Sequence, residues 1–136
     1  MSFTLCPRSQ RNLVGVKPEL VRVVELAARQ MPPELRFVVT EGVRTEVRQA
    51  QLLKAGASRT MNSRHLTGDA VDVAAQIDSN ADGLWEVRWD WPLYERIAVA
   101  MKAAAIELGV NLTWGGSWPK FKDGPHFELT RKKVQA

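Results

Sequence analysis

The sequence has little of what marks secreted, membrane-bound or disulfide-stabilised proteins. Cys6 is the single cysteine, so no intramolecular disulfide can form, and the thiol is expected to be a small, partly buried side chain in a reducing compartment. No apolar run approaches the roughly 18 residues that a membrane-spanning helix needs. Residues 1–8 lack the basic start and apolar core of a signal peptide. We therefore expect a protein that is made in the cytosol and does not insert into membranes.

The charge balance is only mildly basic. Nineteen Lys and Arg residues oppose fifteen Asp and Glu residues, which gives a net charge of +4. Such an excess suits polyanionic partners, nucleic acid and anionic cell wall alike. The basic residues are scattered apart from residues 131–133, and no nucleic-acid-binding motif accompanies them, so we expect no nucleic-acid partner. The 136 residues contain no repeat or linker, which predicts one domain over residues 1–136 and a monomer.

Hydrophobic periodicity predicts three helices and four strands. The first helix begins at Pro18 and ends before Pro32, and the second has Thr45 as its N-cap and Gly56 as its stop. The third helix and the strands are predicted at residues 92–108 and at residues 35–40, 70–75, 111–114 and 126–129. This order of elements predicts an α+β domain in which helices pack on a small antiparallel sheet.

The chain contains only two histidines, and each lies beside acidic residues at the edge of a predicted strand. Gly68 permits a turn that would bring His65 close to Asp72 on the following strand. Together with His126, these residues form the two-imidazole, one-carboxylate set of catalytic zinc sites that keep a fourth position for water. Asp123, across a Gly-Pro turn from His126, would face the metal and carry protons. From spacing alone, a plain histidine–aspartate hydrogen bond remains an alternative.

The spacing of these residues carries a resemblance to a known group of enzymes. The pattern Ser63-x-His65-x-x-Gly68-x-Ala70-x-Asp72, followed by Asp123-x-x-His126, resembles zinc peptidases related to D-alanyl-D-alanine carboxypeptidases and hedgehog domains. Within that group the chain looks most like bacteriophage L-alanyl-D-glutamate endopeptidases, and the resemblance runs from about residue 9 to residue 129. Further matching stretches are residues 41–45, 48–49, 58–60, 89–94 and 114–118.

The resemblance implies a fold, an activity and a set of roles. It implies a hedgehog-like fold with zinc bound by His65, Asp72 and His126, and Asp123 as general base and then general acid. Arg44 matches the arginine that would stabilise the oxyanion of the tetrahedral intermediate. The implied reaction is hydrolysis of the L-alanyl-D-glutamate bond in the stem peptides of bacterial peptidoglycan. The implied protein is an endolysin, held in the host cytoplasm until a separate pore protein lets it reach the wall.

Several further side chains are candidates for substrate binding. Ser58 and Ser63 are predicted to donate hydrogen bonds to the substrate or to orient metal ligands. Trp114 and Trp118 flank a Gly-Gly loop before Asp123 and are expected at the cleft, although tryptophan more commonly anchors a core. Gln49 is expected on an exposed helix face, without a function.

A second metal site is predicted after the second strand. Asp78, Asn80 and Asp82 place oxygen ligands at positions 1, 3 and 5 of a calcium-loop pattern, with Gly83 at position 6. Position 12 is Trp89 where the pattern requires glutamate. Phage relatives that are regulated by calcium through a corresponding loop favour a structural or regulatory calcium site. The alternative is an ordinary surface turn, in which these residue types are common.

Two other functions share this sequence pattern. The same metal site would serve a D,D-carboxypeptidase or dipeptidase that acts on terminal D-alanine. Alternatively, zinc would only stabilise a module that binds cell wall without cutting it. The presence of Asp123 argues against such a module, because a structural zinc needs no base.

Overall fold

The predicted α-helices and strands form, and the structure adds one α-helix, one strand and two short 3-10 helices that the periodicity did not indicate. A computed structural model describes residues 5–57, 63–78, 80, 82–120 and 122–131. Within these residues the α-helices are α1 (Pro7–Asn12), α2 (Pro18–Arg29), α3 (Glu46–Lys54) and α4 (Trp91–Leu108). The strands are β1 (Leu35–Glu41), β2 (Ala70–Ile77), β3 (Glu86–Arg88), β4 (Leu112–Trp114) and β5 (His126–Leu129). Short 3-10 helices cover Arg64–Thr67 and Gly115–Ser117. The added α-helix is α1 and the added strand is β3.

Local signals in the sequence set the ends of the helices. Pro18 occupies the first turn of α2, where its missing N–H costs nothing. The Thr45 hydroxyl accepts a hydrogen bond from the Arg48 backbone N–H at 3.1 Å and caps α3. The predicted starts of both helices are therefore confirmed.

The sheet is antiparallel throughout, which confirms the predicted α+β class. Its strand order is β1-β2-β5-β4, and β3 pairs with β2 outside this path. One edge of β2 pairs with β1, and the other edge is shared between β5 at its beginning and β3 at its end. Asp72 on β2 lies directly opposite His126 on β5. The two side chains therefore emerge on the same face of the sheet.

The two faces of the sheet have different surroundings. Val71, Val73 and Phe127 are fully buried against a layer formed by α2 and α4. Because side chains alternate along a strand, Asp72, His126 and Glu128 point to the opposite face. The layer of helices thus supplies the hydrophobic core, and the polar cluster lies on the other side of the sheet.

Helix α1 covers the exposed edge of β1. The Ser9 hydroxyl accepts a hydrogen bond from the Val39 backbone N–H, and the Asn12 amide donates to the Val39 carbonyl, both at 2.8 Å. These bonds satisfy backbone groups that an edge strand would otherwise leave unpaired. In the part of the chain that the structure describes, no helix combines the length and apolarity needed to cross a membrane.

Candidate metal centre and active site

Three of the predicted ligands converge at the beginning of β2. The ligand atoms of His65, Asp72 and His126 all lie within 4.8 Å of one another. Asp72 and His126 meet because their strands pair, and His65 comes from the 3-10 helix Arg64–Thr67 that leads into β2. Gly68 ends this helix with a left-handed φ of 77°, as the predicted turn requires. Among the described residues, no other group of three His, Cys, Asp or Glu side chains meets this criterion.

The aspartate carboxylate lies between the two imidazoles. Asp72 Oδ1 is 3.2 Å from His126 Nδ1, and Asp72 Oδ2 is 3.3 Å from His65 Nε2. The ring centroids of the two histidines are 5.2 Å apart. Two ring nitrogens and one carboxylate therefore face a common centre.

The environment of His65 leaves one of its nitrogens without a partner. His65 Nδ1 lies 2.8 Å from the Gly42 carbonyl oxygen, which can only accept, so Nδ1 carries the proton. His65 Nε2 is buried and makes no hydrogen bond, despite its nearness to Asp72. A buried, unpaired acceptor costs about 1–3 kcal/mol unless something binds it. A divalent cation at this nitrogen removes that cost, so the donor set fits the predicted metal.

Electrostatic interactions within the cluster favour a negatively charged Asp72 and a protonated His126. Burial opposes ionisation of Asp72, but the hydrogen bond from His126 and the nearness of His65 outweigh it and hold the pKa of Asp72 well below its ordinary value. Burial also opposes protonation of His126, but the carboxylates of Asp72 and Glu128 raise its pKa to about 9. Without a metal, a proton therefore occupies His126 Nδ1, the position that a cation would take.

Asp123 lies in the same cleft without joining the ligand cluster. The side chain is half-buried, and burial together with the negative charge of Asp72 raises its pKa. Its backbone N–H donates to the Gly115 carbonyl at 3.0 Å. A Cβ at Gly115 would lie 2.4 Å from the Asp123 carbonyl oxygen, so only glycine permits this approach. The geometry suits a proton carrier that does not bind the metal.

Arg44 is held rigidly at the edge of the site. Its guanidinium donates to both carboxylate oxygens of Glu41, at 2.7 and 2.8 Å, and to the Gln49 side-chain oxygen at 2.7 Å. Arg44 Nη2 also lies 3.7 Å from Asp72 Oδ2. The expectation that Gln49 is exposed and idle is wrong, because its side chain is fully buried and anchors Arg44. The available signals were its place in a stretch that matches the family and its position in the first turns of the helix that follows Arg44.

These side chains line a cavity of about 680 Å³ on the face of the sheet opposite the helix layer. Its wall includes Arg44, His65, Asp72, Asp123 and His126, and its rim adds Lys120, Lys122 and Arg131. The space is large enough for a short peptide segment and is bordered by positive charge.

The predicted substrate residues have different outcomes. Ser63 lines the cavity, but its hydroxyl accepts from the His65 backbone N–H at 3.2 Å and lies 3.4 Å from Arg44 Nη1. Trp114 is buried in the core, where its indole N–H donates to the Gly124 carbonyl at 2.7 Å, so the prediction that it lies at the cleft is wrong. Trp118 takes that place, with its ring centroid 5.1 Å from that of His126. Ser58 lies outside the described residues.

The predicted calcium-binding residues form an exposed turn. The Asp78 carboxylate accepts hydrogen bonds from the backbone N–H groups of Asp82 at 3.2 Å and Gly83 at 2.8 Å. Asp82 Oδ1 accepts from the Leu84 N–H at 2.9 Å, and this bond is the main cause that lowers the pKa of Asp82. Asn80 is exposed. The carboxylates here are used to hold the turn.

Two imidazoles, a carboxylate between them and a separate half-buried carboxylate in one cleft define the class of protein: a hydrolase of the metallopeptidase type. The sequence model of the phage L-alanyl-D-glutamate peptidase family matches residues 1–133, and the chain belongs to this family. The resemblance carried by the histidine and aspartate motifs is thereby confirmed.

Known relatives agree with this membership. The chain is 34% identical over 134 residues to the L-alanyl-D-glutamate peptidase of Escherichia phage T5, covering 96% of this chain and 92% of that protein. It is 32% identical over 98 residues to the L-alanyl-D-glutamate peptidase of Listeria phage A118, covering 72% of this chain and 32% of that protein. The crystal structure of Serratia marcescens L-Ala D-Glu endopeptidase ChiX matches with a TM-score of 0.81 and 47% identity, over 95% of this chain and 91% of that one.

Proposed function

We propose that the chain is a zinc-dependent L-alanyl-D-glutamate endopeptidase that cuts the stem peptides of bacterial peptidoglycan. The observation that carries the proposal is the convergence of His65 Nε2, His126 Nδ1 and the Asp72 carboxylate in an open cleft, with the buried His65 Nε2 left unpaired. Membership of the peptidase family supplies the reaction and the bond. A zinc ion held by these three side chains would act as a Lewis acid and lower the pKa of a water molecule to about 7.

Asp123 is assigned the proton transfers. It accepts a proton from the attacking water and passes it to the amine of the departing D-glutamate. Its raised pKa brings it closer to neutrality, where a group that must both accept and release a proton is most effective.

Arg44 is assigned the role of stabilising the negative charge that develops on the carbonyl oxygen of the substrate. Glu41 and Gln49 take three of its five N–H groups and fix the plane of the guanidinium. A cation that is already fixed before the reaction needs no reorganisation as charge develops. Ser63 supports this arrangement from the same wall of the cleft.

The proposed partner is peptidoglycan. We propose that the protein acts on it as a single-domain monomer that neither inserts into membranes nor binds nucleic acid. Two similar L-alanyl-D-glutamate peptidases come from phages, and we propose that the setting is lysis of the host cell. The enzyme would remain in the host cytoplasm until a separate pore protein gives it access to the wall.

Digestion of purified wall tests the reaction. New amino termini on D-glutamate and new carboxyl termini on L-alanine are expected, whereas released D-alanine would identify a D,D-peptidase instead. A chelator should stop the digestion and added zinc should restore it. Asp123→Asn is the matched control, because it keeps the shape of the side chain and removes the base. Wall that is bound but not cut by the wild-type protein would identify a binding module.

We propose calcium as a second ion, held by Asp78, Asn80 and Asp82. Three side-chain oxygens at alternate positions before Gly83 support it. Calcium should raise the melting temperature of the wild type but not of an Asp78→Asn/Asp82→Asn variant. An equal response of both proteins, or none in either, removes the proposal.

A further inference from the structure

A buried carboxylate stands behind His126, on the side of the ring away from Asp72. Glu128 is 3% exposed, and its Oε1 lies 2.9 Å from His126 Nε2. The two residues are two positions apart on β5, so their side chains share a face of the strand. Neither the family pattern discussed above nor the proposed reaction gives Glu128 a task.

We propose that Glu128 is a positioning residue for the metal: it accepts the Nε2 proton of His126 and thereby directs His126 Nδ1 at the cation. The inference rests on the proposed function, since it assumes that zinc is bound at His65, Asp72 and His126. A neutral imidazole has one protonated and one free nitrogen, and the partner of the protonated nitrogen decides which one is free. An ionised carboxylate can only accept, so Nε2 must carry the proton.

The two histidines of the site are oriented by different acceptors. His65 Nδ1 donates to the backbone carbonyl of Gly42 at 2.8 Å and presents Nε2 to the centre. His126 is turned the other way and presents Nδ1, with Nε2 held by Glu128. When the N–H of an imidazole is bonded to a charged acceptor, the other ring nitrogen becomes a stronger metal ligand than when the N–H is bonded to a neutral carbonyl. His126 should therefore depend more on its partner than His65 does.

Glu128 is itself fixed from the far side. Its Oε2 lies 3.7 Å from Arg64 Nε and 3.4 Å from Arg131 Nε. Arg64 immediately precedes His65 and also donates to the Leu129 carbonyl at 3.2 Å. The carboxylate thus links β5, which carries His126, to the 3-10 helix that carries His65. The positive charges of Arg64, beside His65, and of Arg131, just after β5, therefore face the Glu128 carboxylate.

Glu128 is placed to orient a ligand and not to be one. Its carboxylate contacts Nε2, whereas Asp72 faces Nδ1, so the two acids lie on opposite sides of the His126 ring. The cluster of ligand atoms within 4.8 Å of one another contains His65, Asp72 and His126 but not Glu128.

Zinc affinity, measured by competition with a chromophoric chelator, tests the inference. Glu128→Ala should weaken zinc binding by roughly 10- to 100-fold, the usual effect of losing such a partner. Glu128→Gln should lose less, because an amide oxygen still accepts the proton. Glu107→Ala is the matched control: it removes the same charge at an exposed position of α4, away from the ligand cluster, so its zinc affinity should stay close to that of the wild type.

A second readout separates orientation from mere folding. In the zinc-bound wild type, the Nε2 proton of His126 should give a downfield, exchange-protected NMR resonance. This resonance should move upfield in Glu128→Gln and lose protection in Glu128→Ala; if the alanine variant does not fold, the glutamine variant decides. Wild-type zinc affinity and an unmoved resonance in Glu128→Gln overturn the inference while leaving the proposed function intact. Failure of the wild type to bind zinc overturns both.

Discussion

Asp72 and Asp78 have the same side chain and lie close together in the sequence, because Asp72 belongs to β2 and Asp78 directly follows it. Their surroundings nevertheless differ. Asp72 lies between two imidazoles, one of which has a buried nitrogen with no hydrogen-bond partner. Asp78 lies in an exposed turn, and both of its carboxylate oxygens accept hydrogen bonds from backbone N–H groups of that turn. A cation between Asp72 and the unpaired acceptor nitrogen of His65 removes a cost that the fold otherwise carries, whereas a cation at Asp78 must compete with the backbone N–H groups that its carboxylate already accepts.

Matched isosteric substitutions should separate the two regions most strongly. Asp72→Asn removes a charged ligand from the centre of the cluster, so zinc affinity should fall by more than the roughly 100-fold that losing an outer partner costs, and wall hydrolysis should disappear. Asp78→Asn should leave zinc affinity unchanged, because Asp78 is not part of the cluster of ligand atoms. Isothermal titration with zinc measures both variants. Equal losses would show that the contrast between the regions is mistaken.

Asp123→Asn should produce the next largest effect, and only on catalysis. Loss of the proton carrier should lower kcat by about 10²- to 10⁴-fold. Zinc content and melting temperature should match the wild type, because Asp123 is absent from the ligand cluster. Loss of zinc along with activity would instead make Asp123 a ligand.

The dependence of zinc binding on pH tests the electrostatics of the same cluster. The metal-free pKa of His126 is about 9, so zinc must displace a proton at any lower pH. Affinity should rise about tenfold per pH unit as pH approaches 9 and then level off, when the contribution of this one proton is isolated. Chelator competition at several pH values measures the slope; a flat profile between pH 6.5 and 9 would contradict the assignment.

The stability of the metal-free protein should change in the opposite direction. A histidine whose pKa is raised on folding stabilises the fold fully below its unfolded pKa and loses that contribution as pH rises through its folded pKa. For His126 the window runs from about 6.5 to about 9, and the loss is on the order of a few kcal/mol. Thermal unfolding with and without zinc should therefore show divergent trends across this window.

Much of the fold followed from local signals, and the exceptions have physical reasons. Prolines, the Thr45 cap and apolar periodicity located α2, α3 and α4, because each signal acts within one element. Six-residue α1 and three-residue β3 are too short to show a period, and their positions depend on β1 and β2, which they cover or pair with.

The candidate site was predictable to the extent that its residue types are rare. Two histidines in the whole chain left few ways to build a metal centre. Trp114 and Trp118 could not be told apart, since only the packed structure shows which ring enters the core. The proximity of Glu128 to His126 could have been predicted, because Glu128 lies two positions after His126 on a predicted strand and so shares its face.

Helix α3 is the element in which apolar periodicity was the poorest guide to burial. The substitution with the smallest expected effect lies in this helix. Its apolar Val47 is 69% exposed, while polar Gln49 is fully buried. Gln49→Ala should leave an Arg44 N–H unpaired and cost about 1–3 kcal/mol of stability. It should also lower kcat without changing zinc affinity, because Arg44 would lose its anchor. Gln51→Ala, at an exposed position of the same helix, should stay within about 0.5 kcal/mol. Equal effects of the two substitutions, measured by chemical denaturation, would mean that helix propensity and not the hold on Arg44 sets the cost.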